Sequence, residues 1–455
     1  MNVFKVVRRM LLFWLIFVLL CAILPPLFRG TAAPKNVPES VKKGSLERVR
    51  VIDDNVDALL WRLRLIQNAR ERIILSTFEF WDDQGGTDVM AALSDAADRG
   101  VNVQILVDGL GCVMHLKHSA HFRELAENPN VTVKLYNPVN LLKPWKVNYR
   151  LHDKYLIADD FAYLLGGRNT GDLFLGNYVE SYNEDRDILV YEPEPGAGTS
   201  YLQLLDYFEN IWSLPSCKEY HGHRKASDEL QPHYEQLAQQ YPEAFQPVDW
   251  EAETLLADSL TLLHGDPEPH NKAPVIWDEM VEYVKAGQDV VISTPYIICD
   301  EAMYQSLDSV TAQGTKVRMF VNAVESGANP FGCTDYLNQK GKILSHGIDV
   351  FEYWGDQSLH AKTVLVDDTI SIVGSCNVDI RSVYLDTELM LVIESDEINS
   401  QLRQRTREME TRSILCRADG TQITGENYPD EALPFWKTML YGFLRVIIIP
   451  FRHLL

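Results

Sequence analysis

The 455-residue sequence lacks the marks of a disulfide-built or metal-built protein. Its seven cysteines (Cys21, Cys112, Cys217, Cys299, Cys333, Cys376, Cys416) are scattered, odd in number and without a CxxC pair, so they read as free thiols. No metal is expected. The segment "HLKHSAH" places His115, His118 and His121 at spacings that spread too widely on one helix for three ligands, and it reads as a polar face. "HGH" at 221–223 reads the same way. Positive charge is also scarce: 42 Lys and Arg stand against 64 Asp and Glu, for a net charge of −22. A surface of that sign repels a polyphosphate backbone, so no nucleic-acid partner is expected, although a locally basic cleft could override the global sign.

The composition is otherwise that of a globular chain, with 46% hydrophobic and 23% charged residues. The length allows two to three domains or one large pseudo-symmetric body. The N-terminus reads "MNVFKVVRRMLLFWLIFVLLCAILPPLFRG", with 19 residues free of charge from Met10 to Phe28. Such a run is long enough to cross a bilayer as a helix, and its length favours an uncleaved anchor over 1–28. The rival is a cleaved secretory signal with "TAA" at 31–33 as the processing site. Basic residues flank both ends, so orientation is undetermined. The closing segment 431–455, containing "FWKTMLYGFLRVIIIPFRHLL", mixes aromatics with Lys437, Arg445 and Arg452. It is too interrupted by charge to span, and suits an interfacial amphipathic helix or a docked terminal one.

Between these ends the chain repeats itself. After a polar linker at 29–45, "ERIILSTFEFW" (71–81), "VNVQILVDG" (101–109) and "VTVKLYNP" (131–138) read as strands, with "DVMAALSDAADRG" as a helix between the first two. A second series follows the same order: "QDVVISTPYIICD" (288–300), "TKVRMFVNA" (315–323) and "GIDVFEYWG" (347–355). Each series ends in one constellation. His152, Lys154 and Asp159 are matched by His360, Lys362 and Asp367, 208 residues later. Gly166 and Asn169 are matched by Gly374 and Asn377. Both copies close on acid-flanked strands, "DRDILV" and "DTELMLV", whose alignment pairs Asp187 with Glu388. The expectation is an α/β fold of two tandem α/β/α halves, 46–212 and 266–430, with mixed, largely parallel sheets packed about a pseudo-twofold. The polar stretch 213–265 is expected as a helical linker between them.

"HDKYLIAD" and "HAKTVLVD", followed by "GGRN" and "GSCN", resemble the paired HKD motifs of the phospholipase D superfamily. "STPYIICDEAM" and "GSCNVDIRSVYLDTEL" are more narrowly similar to the bacterial cardiolipin synthases, as is the ending "FLRVIIIPFRHLL". Two departures stand out: Gly167 opposes Ser375, and Asp386 stands where many synthases have Asn. The resemblance implies catalysis by His152, Lys154, Asp159, His360, Lys362 and Asp367, without metal or cofactor. It implies a phosphatidyl group moved from phosphatidylglycerol to a second phospholipid, phosphatidylethanolamine being one candidate, at a bacterial cell membrane. Hydrolysis of phospholipid or nucleic acid, and a catalytically silent membrane scaffold, are the rival readings.

The chemistry asks for these groups. One neutral imidazole can attack phosphorus in line while a protonated one delivers a proton to the leaving alcohol. Copy order in the superfamily favours His152 as the attacker. Lys154 and Lys362 would grip the non-bridging oxygens, and Asn169, Asn377 and Ser375 would add donors. The resemblance gives Glu388 and, through the repeat, Asp187 the task of holding each imidazole's far nitrogen. The motif aspartates Asp159 and Asp367 are expected to brace the fold rather than react. Thr294 and Tyr296 are candidates for the pocket mouth.

Overall fold

The computed structural model describes residues 3–28, 46–222, 225–429 and 433–455. The expected linker at 29–45, the processing site at 31–33 and His223 lie outside them. Two nine-stranded sheets dominate. In the first, parallel strands Arg72–Thr77, Asn102–Asp108 and Val131–Tyr136 form the run that strand–helix alternation predicts. Its partner beside Arg72–Thr77 is an antiparallel hairpin, Tyr155–Ala158 and Ala162–Gly166, which carries the first histidine motif. Asp187–Tyr191 continues the sheet, antiparallel. The second sheet repeats this plan with Asp289–Ser293, Lys316–Asn322 and Asp349–Tyr353 parallel, then the hairpin Lys362–Val366 and Ile370–Gly374, then Leu389–Glu394. Both sheets are therefore mixed, with the parallel part confined to each central run.

Alternation of apolar residues on both faces sends one side of each sheet toward its own helices and the other toward the opposite sheet. Three buried clusters result. Two lie under the helices of one half each. The third joins the halves, with Ile74, Tyr155 and Leu165 of the first packed in one cluster with Val291, Leu365 and Val373 of the second. Segment 213–265, expected as a helical connector, is corrected by this topology. It holds the helix Leu230–Gln240, but its strands Cys217–Glu219, Leu255–Leu256 and Ser259–His264 complete sheet edges of both halves. Cys217–Glu219 and Leu255–Leu256 are too short to show a strand period, and Ser259–His264 stands alone in a polar stretch without the flanking strand–helix alternation.

The motif aspartates sit at the hairpin turns. Asp159 and Asp367 adopt left-handed backbone, φ 48° and 46°, a conformation in which Asp is over-represented. The Asp159 carboxylate accepts from the backbone N–H groups of Arg70, Glu71 and Arg72 at 2.7–2.8 Å. Asp367 does the same for Gln288 and Asp289 at 2.8 and 2.9 Å. Each thereby ties its turn to the start of the neighbouring strand. Both stand at the far end of a strand from Lys154 or Lys362, roughly 15 Å away at 3.3 Å per residue. They are thus separated from the groups with which the motif associates them. Asp159→Ala is expected to lower unfolding stability by about 1–3 kcal/mol, from the orphaned donors, while turnover per folded molecule changes less than about twofold. Urea titration alongside an activity assay checks both.

Candidate active site

The two motifs meet where the halves pack, and each imidazole is held by a carboxylate of the other half. His152 Nδ1 lies 2.8 Å from Glu388 Oε1. His360 Nδ1 lies 2.5 Å from Asp185 Oδ2. Both carboxylates are fully buried, whereas the rings keep 14% and 24% exposure. Backbone bonds cross in the same sense. His152 N–H donates to Thr387 O and His360 N–H to Glu184 O, at 3.2 and 2.7 Å. One step upstream, Asp108 Oδ2 accepts from Leu151 N–H at 3.0 Å and Asn322 Oδ1 from Leu359 N–H at 2.7 Å. These residues end corresponding strands, so the approach to both histidines is fixed by equivalent clamps.

This corrects the expected role of Asp187. Its carboxylate faces neither imidazole; it pairs with Arg62 at 2.9 Å and Arg168 at 3.5 Å inside the first half. Strand register explains the difference. Gly166 pairs with Asp187, whereas Gly374 pairs with Met390, so Glu388 corresponds to Asp185. Aligning the apolar runs "ILVY" and "LMLVI" by their starts pairs Glu388 with Asp187 and by their ends with Arg186, so only the ladder register identifies Asp185. Asp187 balances the buried Arg168, and the corresponding places in the second half are the uncharged Met390 and Cys376.

The glycines expected from the repeat are enforced by close strand approach. A Cβ on Gly166 would strike Asp187 and Arg186, and one on Gly374 would strike the Leu389 carbonyl. The departure at Gly167 follows too: a Cβ there would collide with the Asp185 carboxylate. Glu388 is one methylene longer, and Ser375 fits beside it, donating its hydroxyl to Glu388 Oε2 at 2.5 Å. That hydroxyl is committed to the acid, so Ser375 supports Glu388 instead of facing a phosphate. Asp386, the other departure, pairs with Arg381 at 2.9 Å and accepts from Arg150 N–H at 3.2 Å.

Lys154 Nζ donates to His152 O at 2.7 Å, and Lys362 Nζ to His360 O at 2.5 Å. Asn169 contacts Glu79, its Nδ2 3.3 Å from Oε2, and Asn377 Nδ2 lies 3.4 Å from the Tyr296 hydroxyl. Thr294 is buried and bonds the Tyr296 carbonyl at 3.1 Å. Tyr296 and His360 both line a cavity of about 100 Å³. Phe78 and Phe174 set their rings 5.3 and 5.2 Å from His152 and His360. Glu79 and the two phenylalanines carried no repeat signal, because their counterparts in the other half are of different types, and the Asp185–Glu388 match was hidden by the shift in register. Of the expected polar face, His115 stacks on Trp81 at 4.4 Å, while His121 lies on the next helix between Asp82 and Glu229.

Burial sets the protonation of the site. Desolvation, then the nearby ammonium groups, holds His152 well below the usual imidazole range. The same causes bring His360 down to about 4, against the opposing pull of Asp185. Desolvation lowers Lys154 to about 8 and also lowers Lys362. Burial pushes Glu388 well up, while His360 and Lys362 outweigh desolvation at Asp185 and hold it low. Lys362 and His360 of the second half both act on His152 of the first. The groups form one electrostatic unit.

Two half-sites that exchange acids across a pseudo-twofold define a doubled HKD catalytic architecture of the phospholipase D superfamily. The chain belongs to the family described as cardiolipin synthase, PLD-like domain, which matches residues 63–212 and 282–409, more than half its length. It is 24% identical to cardiolipin synthase C of Escherichia coli K12, over 78% of this chain and 83% of that one. It is 27% identical to the major cardiolipin synthase ClsA of Bacillus subtilis 168, over 78% and 67%. The fold is shared with a phosphatidylserine synthase from Haemophilus influenzae Rd KW20, at a TM-score of 0.61 and 15% identity, over 88% of this chain and 93% of that one.

Two expectations follow. Asp185→Asn replaces a carboxylate that can only accept with an amide that can also donate, which admits the wrong His360 tautomer and should lower kcat about 10³–10⁴-fold. Asp187→Asn should instead cost about 3–5 kcal/mol of stability, by stranding Arg62 and Arg168, with kcat of the folded fraction kept. In the resting protein both imidazoles should be neutral at pH 7. An oxyanion such as vanadate, by offsetting the ammonium charges, should raise both toward protonation. Nitrogen-15 histidine spectra, assigned with His152→Asn and His360→Asn, read this directly.

Proposed function

We propose that the protein is a cardiolipin synthase-like phosphatidyltransferase that takes a phosphatidyl group from phosphatidylglycerol and gives it to a hydroxyl of a second phospholipid. The observation that supports this reading is the crossed imidazole–carboxylate arrangement, which brings an imidazole from each half to one interface, as a two-histidine attack on phosphorus requires. In the first step one imidazole Nε2 attacks phosphorus and the bond to the glycerol headgroup oxygen breaks. The opposite imidazolium gives its proton to that oxygen and glycerol leaves. The phosphatidyl group is then held as a phosphohistidine. In the second step the acceptor hydroxyl attacks phosphorus, passes its proton to the second imidazole, and the P–N bond breaks. Lys154 and Lys362 offset the charge on the non-bridging oxygens in both steps. The aromatic walls at Phe78 and Phe174 limit water, which would otherwise take the acceptor's place and yield phosphatidic acid.

The lipid assignment is supported by family membership and by the N-terminal apolar helix. Residues Val7–Leu27 have a mean hydropathy of 2.6, with 6% of the stretch buried, and are long enough to cross a bilayer. We read this helix as an anchor in a bacterial cell membrane. The test is incubation of detergent-solubilised protein with labelled phosphatidylglycerol, with and without phosphatidylethanolamine, followed by mass analysis. Diphosphatidylglycerol is expected, and either His152→Ala or His360→Ala should abolish it. Phosphatidic acid as the sole product would make the protein a hydrolase. Acid-quench trapping should find phosphate on one of these two histidines and thereby name the attacker.

A further inference from the structure

The apolar helix does not hang free of the catalytic body at its C-terminal end. Asn148 donates its amide to Ala22 O, Asn271 to Pro25 O at 2.9 Å, and His453 to Ile23 O at 2.9 Å. The helix also packs on the turn Pro144–Lys146. Three distant parts of the chain thus converge on the point where the helix ends. Arg381 joins two of them: its N–H donates to Leu455 O at 2.8 Å, and its guanidinium to Asn148 O at 2.7 Å.

Beside this junction lies a groove of about 590 Å³, bounded by the loop around residues 137–146 and by 215–218. Lys143, Lys146 and Lys218 line it, no acidic side chain does, and none of the three lysines makes an ion pair among the described residues. In a chain of net charge −22, three unpaired lysines around one groove are a strong local reversal of sign. The same loop exposes large apolar side chains: Leu142 is 81% exposed, Leu141 57% and Trp145 38%. The C-terminal helix, Phe435–Ile447, whose following turn meets the end of the apolar helix, buries Tyr441 against the body and turns Phe435, Trp436, Phe443 and Val446 outward. Basic residues above an apolar rim, beside the end of an apolar helix, are the composition of a surface that meets a lipid interface.

We propose that this groove seats the headgroups of anionic phospholipids at the leaflet surface. Leu141, Leu142 and Trp145 enter the acyl boundary below, and the C-terminal helix lies on the same plane. The proposal rests on reading the N-terminal helix as a membrane span. It adds that the catalytic body is held against the membrane on one defined face, by charge as well as by the span. From Arg381 the junction continues through Asp386 to Arg150 N–H, and Thr387 bonds His152 N–H. Lipid bound at this face therefore sits on the elements that position the active site.

The test uses the full chain in nanodiscs and needs no turnover, so it stands or falls apart from the proposed reaction. With Cys21 changed to Ser, an environment-sensitive fluorophore is placed at Leu142→Cys or, as a control on the distal turn, at Asp368→Cys. Raising phosphatidylserine in phosphatidylcholine discs should shift the label at 142 to the blue and expose it to quenching by brominated lipid. The label at 368 should remain in water. Combining Lys143→Gln, Lys146→Gln and Lys218→Gln should weaken the phosphatidylserine dependence about fivefold per lysine removed, and high salt should mimic the substitutions. Circular dichroism confirms that the variants fold. The proposal is overturned if the label at 142 stays in water in every lipid, or if the triple variant responds as the parent does. It is also overturned if millimolar inorganic phosphate in pure phosphatidylcholine discs reproduces or displaces the effect, which would make the groove a site for soluble anions.

Discussion

The structure depends on two buried bonds that run in opposite directions across the same interface, Glu388 to His152 and Asp185 to His360. Each half contributes an imidazole whose carboxylate partner comes from the other half. A ring whose Nδ1 is unheld can rotate or take the wrong tautomer, and Nε2 then no longer presents the lone pair or proton that the reaction asks of it. The inter-half core, with Ile74, Leu165, Val291 and Val373, does more than cover apolar surface. It sets the alignment of both bonds at once. A shift of either sheet by a fraction of an ångström would misplace both imidazoles together, because close-packed interiors transmit displacement rather than absorb it.

The pseudo-twofold is kept where geometry demands it and broken where chemistry can differ. Asp159 and Asp367, Gly166 and Gly374, and the clamps Asp108 and Asn322 preserve backbone positions. The environments of the two rings diverge. Asp185 packs directly over Gly167 and stays ionised; Glu388 shares a proton-donating Ser375 and is pushed toward its neutral form. Asn169 faces the carboxylate of Glu79, whereas Asn377 faces the hydroxyl of Tyr296. In the proposed reaction, where one ring attacks and the other protonates, such differences are an advantage, since identical surroundings would give both rings the same proton affinity.

What the sequence made legible follows the same division. Histidine, lysine, turn aspartate, glycine and asparagine lie on one continuous hairpin, so their spacing is set by strand length and turn geometry and survives duplication as a fixed interval. The helices and central strands were visible for the same local reason. The acids were harder: their partners lie 236 and 175 residues away, and the choice between Asp185 and Asp187 is made by ladder register. Asp187 misleads because it is a buried charge beside the right strand, answering Arg62 and Arg168 instead of an imidazole. Edge strands at 217–219 and 255–256 were invisible because segments of two or three residues show no period and pair only when a sheet edge is offered to them.

The charge of the chain and the charge of its site pull in opposite directions, and burial reconciles them. A surface of net −22 disfavours an anionic ligand at long range, but salt screens that repulsion beyond about 10 Å. Within the cleft, burial and the neighbouring ammonium groups of Lys154 and Lys362 hold both imidazoles below the usual range. The ammonium groups are themselves destabilised by desolvation, so a bound anion relieves them while it restores proton affinity to the rings. In the proposed reaction, a bound phosphate would thereby supply the acid that protonates the leaving alcohol. A site with protonated imidazoles at rest would grip anions more tightly but would hold no free lone pair to attack with.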